Sequence, residues 1–339
     1  MKRILAGAAA LAVLASGASG ARANDSVAEM GAGGLVFVHT PDIRMESEDL
    51  FISEQKVEVR YSYLNMSDQR RTVEVAFPMP DVTIDEDTAI TLPSQDPYNL
   101  MNFTTLADGR PAPAKVEQHA VFKGRDRTAE LRSLGVPLAP HLESTVAALD
   151  RLPKAVGQRF VAQGLVVVDE YDAGKGMEHH LSPRWTLKTT YHWTQVFEPH
   201  RRIEIIHRYT PAVGASVMAY LSWPHGEARE VRKERAQYCA DDGFMAALRK
   251  GVAERAPKDG GIAWSQTTIS YILTTGANWR DPIGRFRLVV DKGAPQNLVS
   301  FCGENVRQIS PTTFEMVKTN FVPRRNLDIL IAKPVLNGG

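Results

Sequence analysis

Short runs in which apolar and polar residues alternate, parted by Gly, Pro, Asp and Asn, recur along this chain and constrain its fold more than any other feature. Within residues 56–78, Val57, Val59, Tyr61 and Tyr63 fall on one face, residues 65–70 make a turn, and Val73, Val75 and Phe77 resume the alternation. This predicts a half-buried hairpin. Residues 103–107 and 113–122 flank Asp108-Gly109, a dipeptide that tolerates positive φ, and predict a second hairpin. A third and longer one is predicted after Trp185, turning at residues 198–202. It sets Tyr191 opposite Tyr209, Trp193 opposite His207 and Phe197 opposite Ile203 on one face, with Lys188, His192, Glu204 and Arg208 on the other.

Between residues 125 and 163 the spacing changes. Leu131 and Leu134, then Leu142, Val146 and Leu149, recur three and four apart, which is a helical period. Pro137, Pro140 and Pro153 divide that stretch into short helices. Farther on, Asp241 or Asp242 can cap a helix through Phe244 and Leu248. Residues 267–274, 286–290, 298–302, 313–317 and 327–331 again read as strands. The predicted fold class is therefore mainly β. Two antiparallel β-sandwich-like units, residues 24–124 and 166–339, are expected with a helical insertion at 125–165 between them and a short helix in the second unit.

The first residues read as an address. Lys2 and Arg3 precede an apolar run over residues 4–17, and Ala21-Arg22-Ala23 offers an A-x-A site, so a signal peptide is expected to be cut between Ala23 and Asn24. The run is shorter than the roughly 20 residues that span a bilayer. No later stretch reaches that length without a charge, so no membrane span is expected in the mature chain, and the expected location is the periplasm. Loss of Lys2, Arg3 and Arg22 leaves 37 basic against 39 acidic side chains, which supplies no electrostatic footprint for nucleic acid. In an oxidising compartment Cys239 and Cys302 are expected to pair. The competing reading makes Cys239 a nucleophile, but His225, the nearest upstream histidine, has no recognisable signature around it.

The sequence lacks HExxH, a paired CxxC, a Walker-type phosphate loop and GxSxG, so no catalytic residue and no cofactor is assigned. Asp169, Glu170, Asp172, Glu178, His179 and His180 form its densest polar cluster. Asp169, Asp172, Glu178, His179 and His180 are the candidate metal ligands, because carboxylate oxygens and imidazole nitrogens suit a divalent cation. The plainer reading is solvated charge on a Gly-rich loop, with the adjacent histidines pointing apart. Trp279 and Arg280 in a strand-linking loop join His192 and Arg208 as ligand-binding candidates. Against these stand a tryptophan folded back over the end of the sandwich and charges that are merely solvated. Arg44, Glu46 and Glu48 alternate with Met45 and Ser47 and are expected to line one strand face, either as an ion-pair ladder or as a binding stripe.

Gly33-Gly34-Leu35-Val36-Phe37, residues 43–50, Val75-Ala76-Phe77-Pro78-Met79-Pro80-Asp81, residues 279–284, Ser300-Phe301-Cys302 and residues 309–315 together resemble the exported bacterial family of the domain of unknown function 4424. The resemblance spans most of the mature chain and implies export and a single-family architecture, with no catalytic residue to carry over. The functional expectation is an exported β-rich protein that binds, without chemistry, an unknown ligand or an envelope protein. A metal-dependent periplasmic hydrolase and a structural or assembly factor of the envelope are the alternatives.

Overall fold

The computed structural model describes residues 26–31, 34–84, 89–172, 174, 176–217, 219, 221, 229–255 and 263–335. The expected signal peptide and its expected cleavage site at Ala23 and Asn24 lie outside the described residues. The mainly β class holds, and the described residues form several antiparallel sheets and five α-helices, with no closed barrel among them.

Two large sheets face each other. The first joins β1 (Ser26–Gly31), β2 (Gly34–Val38), β5 (Arg71–Pro78), β6 (Val82–Thr83), β10 (Lys115–Phe122), β11 (Arg125–Asp126) and β14 (Thr186–Phe197), with the path β11-β10-β14-β5-β1-β2 and β6 also on β14. The second joins β3 (Ile43–Ile52), β4 (Val57–Asn65), β8 (Thr104–Ala107), β9 (Arg110–Pro111), β15 (Arg202–Tyr209), β18 (Ile283–Asp291), β20 (Arg307–Gln308) and β21 (Thr313–Phe321), in the order β20-β21-β18-β3-β4-β15-β8-β9. Strands from 24–124 and from 166–339 thus pair within the same sheets. Among the described residues one strand pair is parallel, β3 with β18.

The alternation reports correctly which side chains face inward, but the three predicted hairpins are not closed as expected. β4 pairs with β3 and β15, whereas β5 pairs with β1 and β14. β14 and β15 likewise lie in different sheets. Residues 66–70 and 198–201 are therefore two neighbouring corners at which the chain crosses from one sheet to the other. Asn65 fastens them: its Nδ2 donates to the carbonyls of Gln69 (2.8 Å) and Phe197 (2.9 Å). His200, at a left-handed φ of 52°, reaches Asp68 across the corners (2.7 Å). Trp193 and His207 do meet, at 5.1 Å between ring centroids, but they do so across the sandwich and not along a hairpin. At the second predicted hairpin, Asp108-Gly109 makes its tight turn with φ of 47° and 75°. The returning strand β9 lasts two residues, and Pro111 and Pro113, which donate no backbone N–H, accompany the exit of the chain to β10 in the other sheet.

A third sheet, β19-β22-β17-β16-β7, contains β7 (Ala89–Thr91), β16 (Val213–Ser216), β17 (Trp264–Tyr271), β19 (Leu298–Phe301) and β22 (Leu327–Pro334). Ile269, Tyr271, Ile329 and Ile331 join the main core from this sheet. Trp264, Leu330 and Ala332 face a second cluster with Tyr238, Met245 and Leu248 of α4 (Arg229–Tyr238) and α5 (Asp242–Arg255). Cys239, between those helices, and Cys302, just after β19, are bonded sulfur to sulfur at 2.04 Å. The helical segment forms α1 (Thr128–Ser133), α2 (Glu143–Asp150) and α3 (Lys154–Gln163), and it leads into a separate ribbon of β12 (Val166–Asp172) and β13 (Met177–Pro183).

The expected single-faced stripe Arg44, Glu46, Glu48 is broken by a register shift between Met45 and Ser47. Beyond it the strand has turned over. Glu46 lies outside, bonded to Arg44 (3.0 Å) and Arg202 (2.6 Å), while Glu48 is fully buried opposite Tyr61. The outer face of the second sheet carries an ion-pair ladder built from other residues than the expected stripe, of which only Arg44 and Glu46 are paired there. Arg307 and Arg287 clamp Glu315, Arg287 and Arg285 approach Asp49, and Arg208 holds Glu58.

Candidate functional site

At the flank where the chain leaves β9 for β10, the two sheets part and leave a cleft of about 350 Å³. Its wall is aromatic because the inward alternation of β14 brings Tyr191 against Phe103, with centroids at 4.3 Å and planes 10° apart. Tyr98 stands at the cleft with 62 % of its surface exposed, and Pro111, Pro113 and Val116, the last paired with Tyr191 in the first sheet, complete the lining. None of the lining side chains is charged.

The loop before β8 is held in place from several directions. Asn99 Oδ1 accepts the backbone N–H of Phe103 (2.7 Å) and the Tyr191 hydroxyl (3.1 Å), while its Nδ2 donates to the Phe103 carbonyl (3.2 Å). Gln118 from β10 donates to the Pro97 carbonyl (2.8 Å). Burial pushes the Tyr191 phenol up, well above its ordinary range, so this hydroxyl acts as a hydrogen-bond donor and not as a base. Deeper in, Thr105 meets His207 Nδ1 at 3.0 Å. His207 is fully buried among the rings of Phe77, Phe103, Trp193 and Tyr61. The result is a preformed apolar slot with hydroxyl and amide groups at its edge and no acid or base among its lining side chains.

The ligand candidates chosen from the sequence do not converge. His192 is 7 % exposed on the outer face of the first sheet, hydrogen-bonded to Glu74 at 2.5 Å. It is the more accessible of His192 and His207, the latter being fully buried, but β5 and β10 flank β14 on both sides and Glu74 occupies its Nδ1. Arg208 lies on the outer face of the other sheet and is engaged by Glu58 at 2.8 Å. Trp279 is 1 % exposed and packs on Tyr63 (4.4 Å) and Phe197 (6.5 Å), the folded-back arrangement rather than a recognition loop. Arg280 is exposed and beside Asp281.

The metal candidates lie on the β12–β13 ribbon, and its register explains why they do not gather. Asp169 faces His180 and Glu170 faces His179, so successive residues point to opposite sides. His179 is bonded to Glu170 (3.0 Å), and His180 sits between Asp150 (2.7 Å) and Glu178 (3.3 Å), which raise its pKa in that order of effect. Asp172 caps the turn by accepting the N–H groups of Gly174 and Gly176. Among the described residues no group of three or more His, Cys, Asp or Glu side chains is placed to hold a metal.

The cleft was missed in the sequence because Tyr191 and Phe103 read as ordinary core positions. The available signal was Pro111-Ala112-Pro113-Ala114, a run whose prolines donate no backbone N–H and so cut the pairing short at the sheet edge beside an aromatic loop.

The model of the domain of unknown function DUF4424 matches residues 23–330. No curated protein matches the chain in sequence. Among solved structures, a Legionella pneumophila protein provisionally named for nutrient binding is similar, with 15 % identity and a TM-score of 0.46 over 92 % of this chain and 70 % of that one.

Proposed function

We propose, for a chain that belongs to the DUF4424 family, a binding role without catalysis: an exported periplasmic protein that holds a neutral ligand with a flat apolar face in the cleft between Tyr98, the Phe103–Tyr191 stack and the two prolines. The observation that carries this reading is the uncharged, aromatic lining of a slot whose loop is already fixed by Asn99. Apolar walls with a few oriented polar groups suit retention of an uncharged ring, and a preorganised loop spares the ligand the cost of ordering it. A charged ligand would find no counter-charge among the lining side chains. The basic and apolar start of the sequence with its A-x-A site, and the Cys239–Cys302 bond, support an exported, oxidising setting.

Thermal-shift titration of the mature protein with neutral cyclic probes tests it, with indole, phenol and glucose alongside the anion indole-3-acetate. At least one neutral probe is expected to raise the melting temperature, and Tyr98→Ala is expected to weaken that probe about tenfold or more without lowering the melting temperature of the free protein. Stabilisation by the anion alone, or binding indifferent to Tyr98→Ala, would overturn the cleft as the site. The start of the exported protein at Asn24, read by mass spectrometry of a periplasmic extract, tests the location.

A further inference from the structure

The β12–β13 ribbon lies beside α2 and α3, and a groove of about 580 Å³ runs between them. Its apolar lining includes Leu149, Leu152, Val161, Val168 and Leu181. Val161 and Val168 are 38 % and 49 % exposed, and Met177 near the turn of the ribbon is 59 % exposed. These are large apolar surfaces for so small an element.

The backbone beside this groove is open too. Among the described residues β12 pairs with β13 and with no other strand. Leu181 gives its N–H to Asp150 (2.8 Å), so Val168↔Leu181 is a non-hydrogen-bonded pair of the ribbon. Antiparallel geometry then turns the N–H and C=O of Val168, and by alternation those of Glu170, toward the unpaired edge. Carboxylates outnumber cations along the ribbon, although Glu170 and Glu178 are bonded to His179 and His180 and Lys154 of α3 also lines the groove. Asp169, Glu170, Asp172 and Glu178 stand against Lys175 as the only Lys or Arg in residues 166–183.

We propose that this edge and groove dock an extended basic segment of a partner protein. The segment adds to β12 as a strand, sets alternate apolar side chains in the groove, and lays lysines or arginines along the carboxylates. A second copy of the chain is a poorer occupant, because pairing β12 with itself would gather Asp169, Glu170 and Asp172 of both copies along one seam. The proposal is independent of the aromatic cleft, which shares no lining residue with the groove.

The test uses the full mature chain and fluorescently labelled short peptides, one alternating Lys and Val and one alternating Glu and Val, followed by anisotropy at low salt. The Lys–Val peptide is expected to bind and the Glu–Val peptide is not. Val168→Pro removes an outward N–H while leaving the bonds across the ribbon, and Glu170→Lys reverses a charge at the edge. Each is expected to weaken binding at least about tenfold. Should Val168→Pro fail to fold, a Lys–Val peptide with an N-methylated backbone puts the same question from the other side and is expected not to bind. Equal binding of the methylated peptide would show attraction by charge alone and overturn the proposal, as would no binding of the Lys–Val peptide. Self-association of the chain that Val168→Pro abolishes would assign the edge to a second copy instead.

Discussion

Asn65 holds two chain reversals with one side chain, and its burial leaves no water to replace it. Asn65→Ala removes the donor to the buried Phe197 carbonyl, while that of Gln69 keeps the Ser67 hydroxyl at 3.0 Å, and the change is expected to cost about 1–3 kcal/mol. A lower urea midpoint with an unchanged slope would be the measurement. At this scale the sequence was legible wherever an alternating strand stayed regular, as at Tyr61 and Tyr63 or Trp193 and His207, all of which face the core. It misled at Glu48, because a single register shift exchanges the faces of a strand and leaves no signature in the residue pattern. It left Trp279 open between a recognition loop and a folded-back ring, and it did not show how far His192 is covered. Whether an aromatic or an imidazole lies under a neighbouring element depends on chain that arrives from elsewhere.

Elements show the same division between what is local and what is not. Alternation fixes which side chains of β4, β5, β14 and β15 point inward, but it does not choose a partner strand, and so two crossings between sheets read as hairpins. The Asp108-Gly109 turn was legible because its left-handed backbone is a local demand. The cleft was not, since Tyr98, Phe103 and Tyr191 come together only after the crossing from β9 to β10. The register shift in β3 has a required neighbour: a Cβ on Gly284 would stand 2.5 Å from the carbonyl oxygen of Glu46. Gly284→Ala must push one strand from the other and is expected to destabilise by about 1–3 kcal/mol, seen as a fall in melting temperature. The bond between Cys239 and Cys302 closes 63 residues of chain. Cys302→Ser with Cys239→Ser is expected to lose about 2–4 kcal/mol, and adding reductant to the unmutated protein should reproduce the loss.

Over the whole molecule, acid acts on the outer ladder. Arg202 and, after it, Arg44 hold the Glu46 carboxyl below the ordinary carboxylate range against the opposing effect of burial. Arg208 does the same for Glu58, and Arg307 followed by Arg287 for Glu315. Folded values below the unfolded ones mean that this stabilisation is complete above the ordinary value of 4.5 and is lost as pH falls through the depressed values. Unfolding free energy measured against pH should therefore drop below that point, and it should drop less steeply in Glu315→Gln, which is already less stable at neutral pH. The two β-rich stretches were legible as sandwich material, while their interleaving was not, because pairing between residues so far apart leaves no local trace.

That interleaving sets the order in which the protein can be completed. β3 emerges early in synthesis, yet its Ser47–Ile52 edge waits for Arg285–Val290 to arrive in parallel register. Until then the growing chain presents a half-built sheet whose margin is the unpaired backbone edge of a ten-residue strand, the kind of species that clumps. A fragment ending at residue 280 is expected to be recovered in the pellet, and holdase chaperones should keep it dispersed. The full chain, once released, closes its own exposed margin.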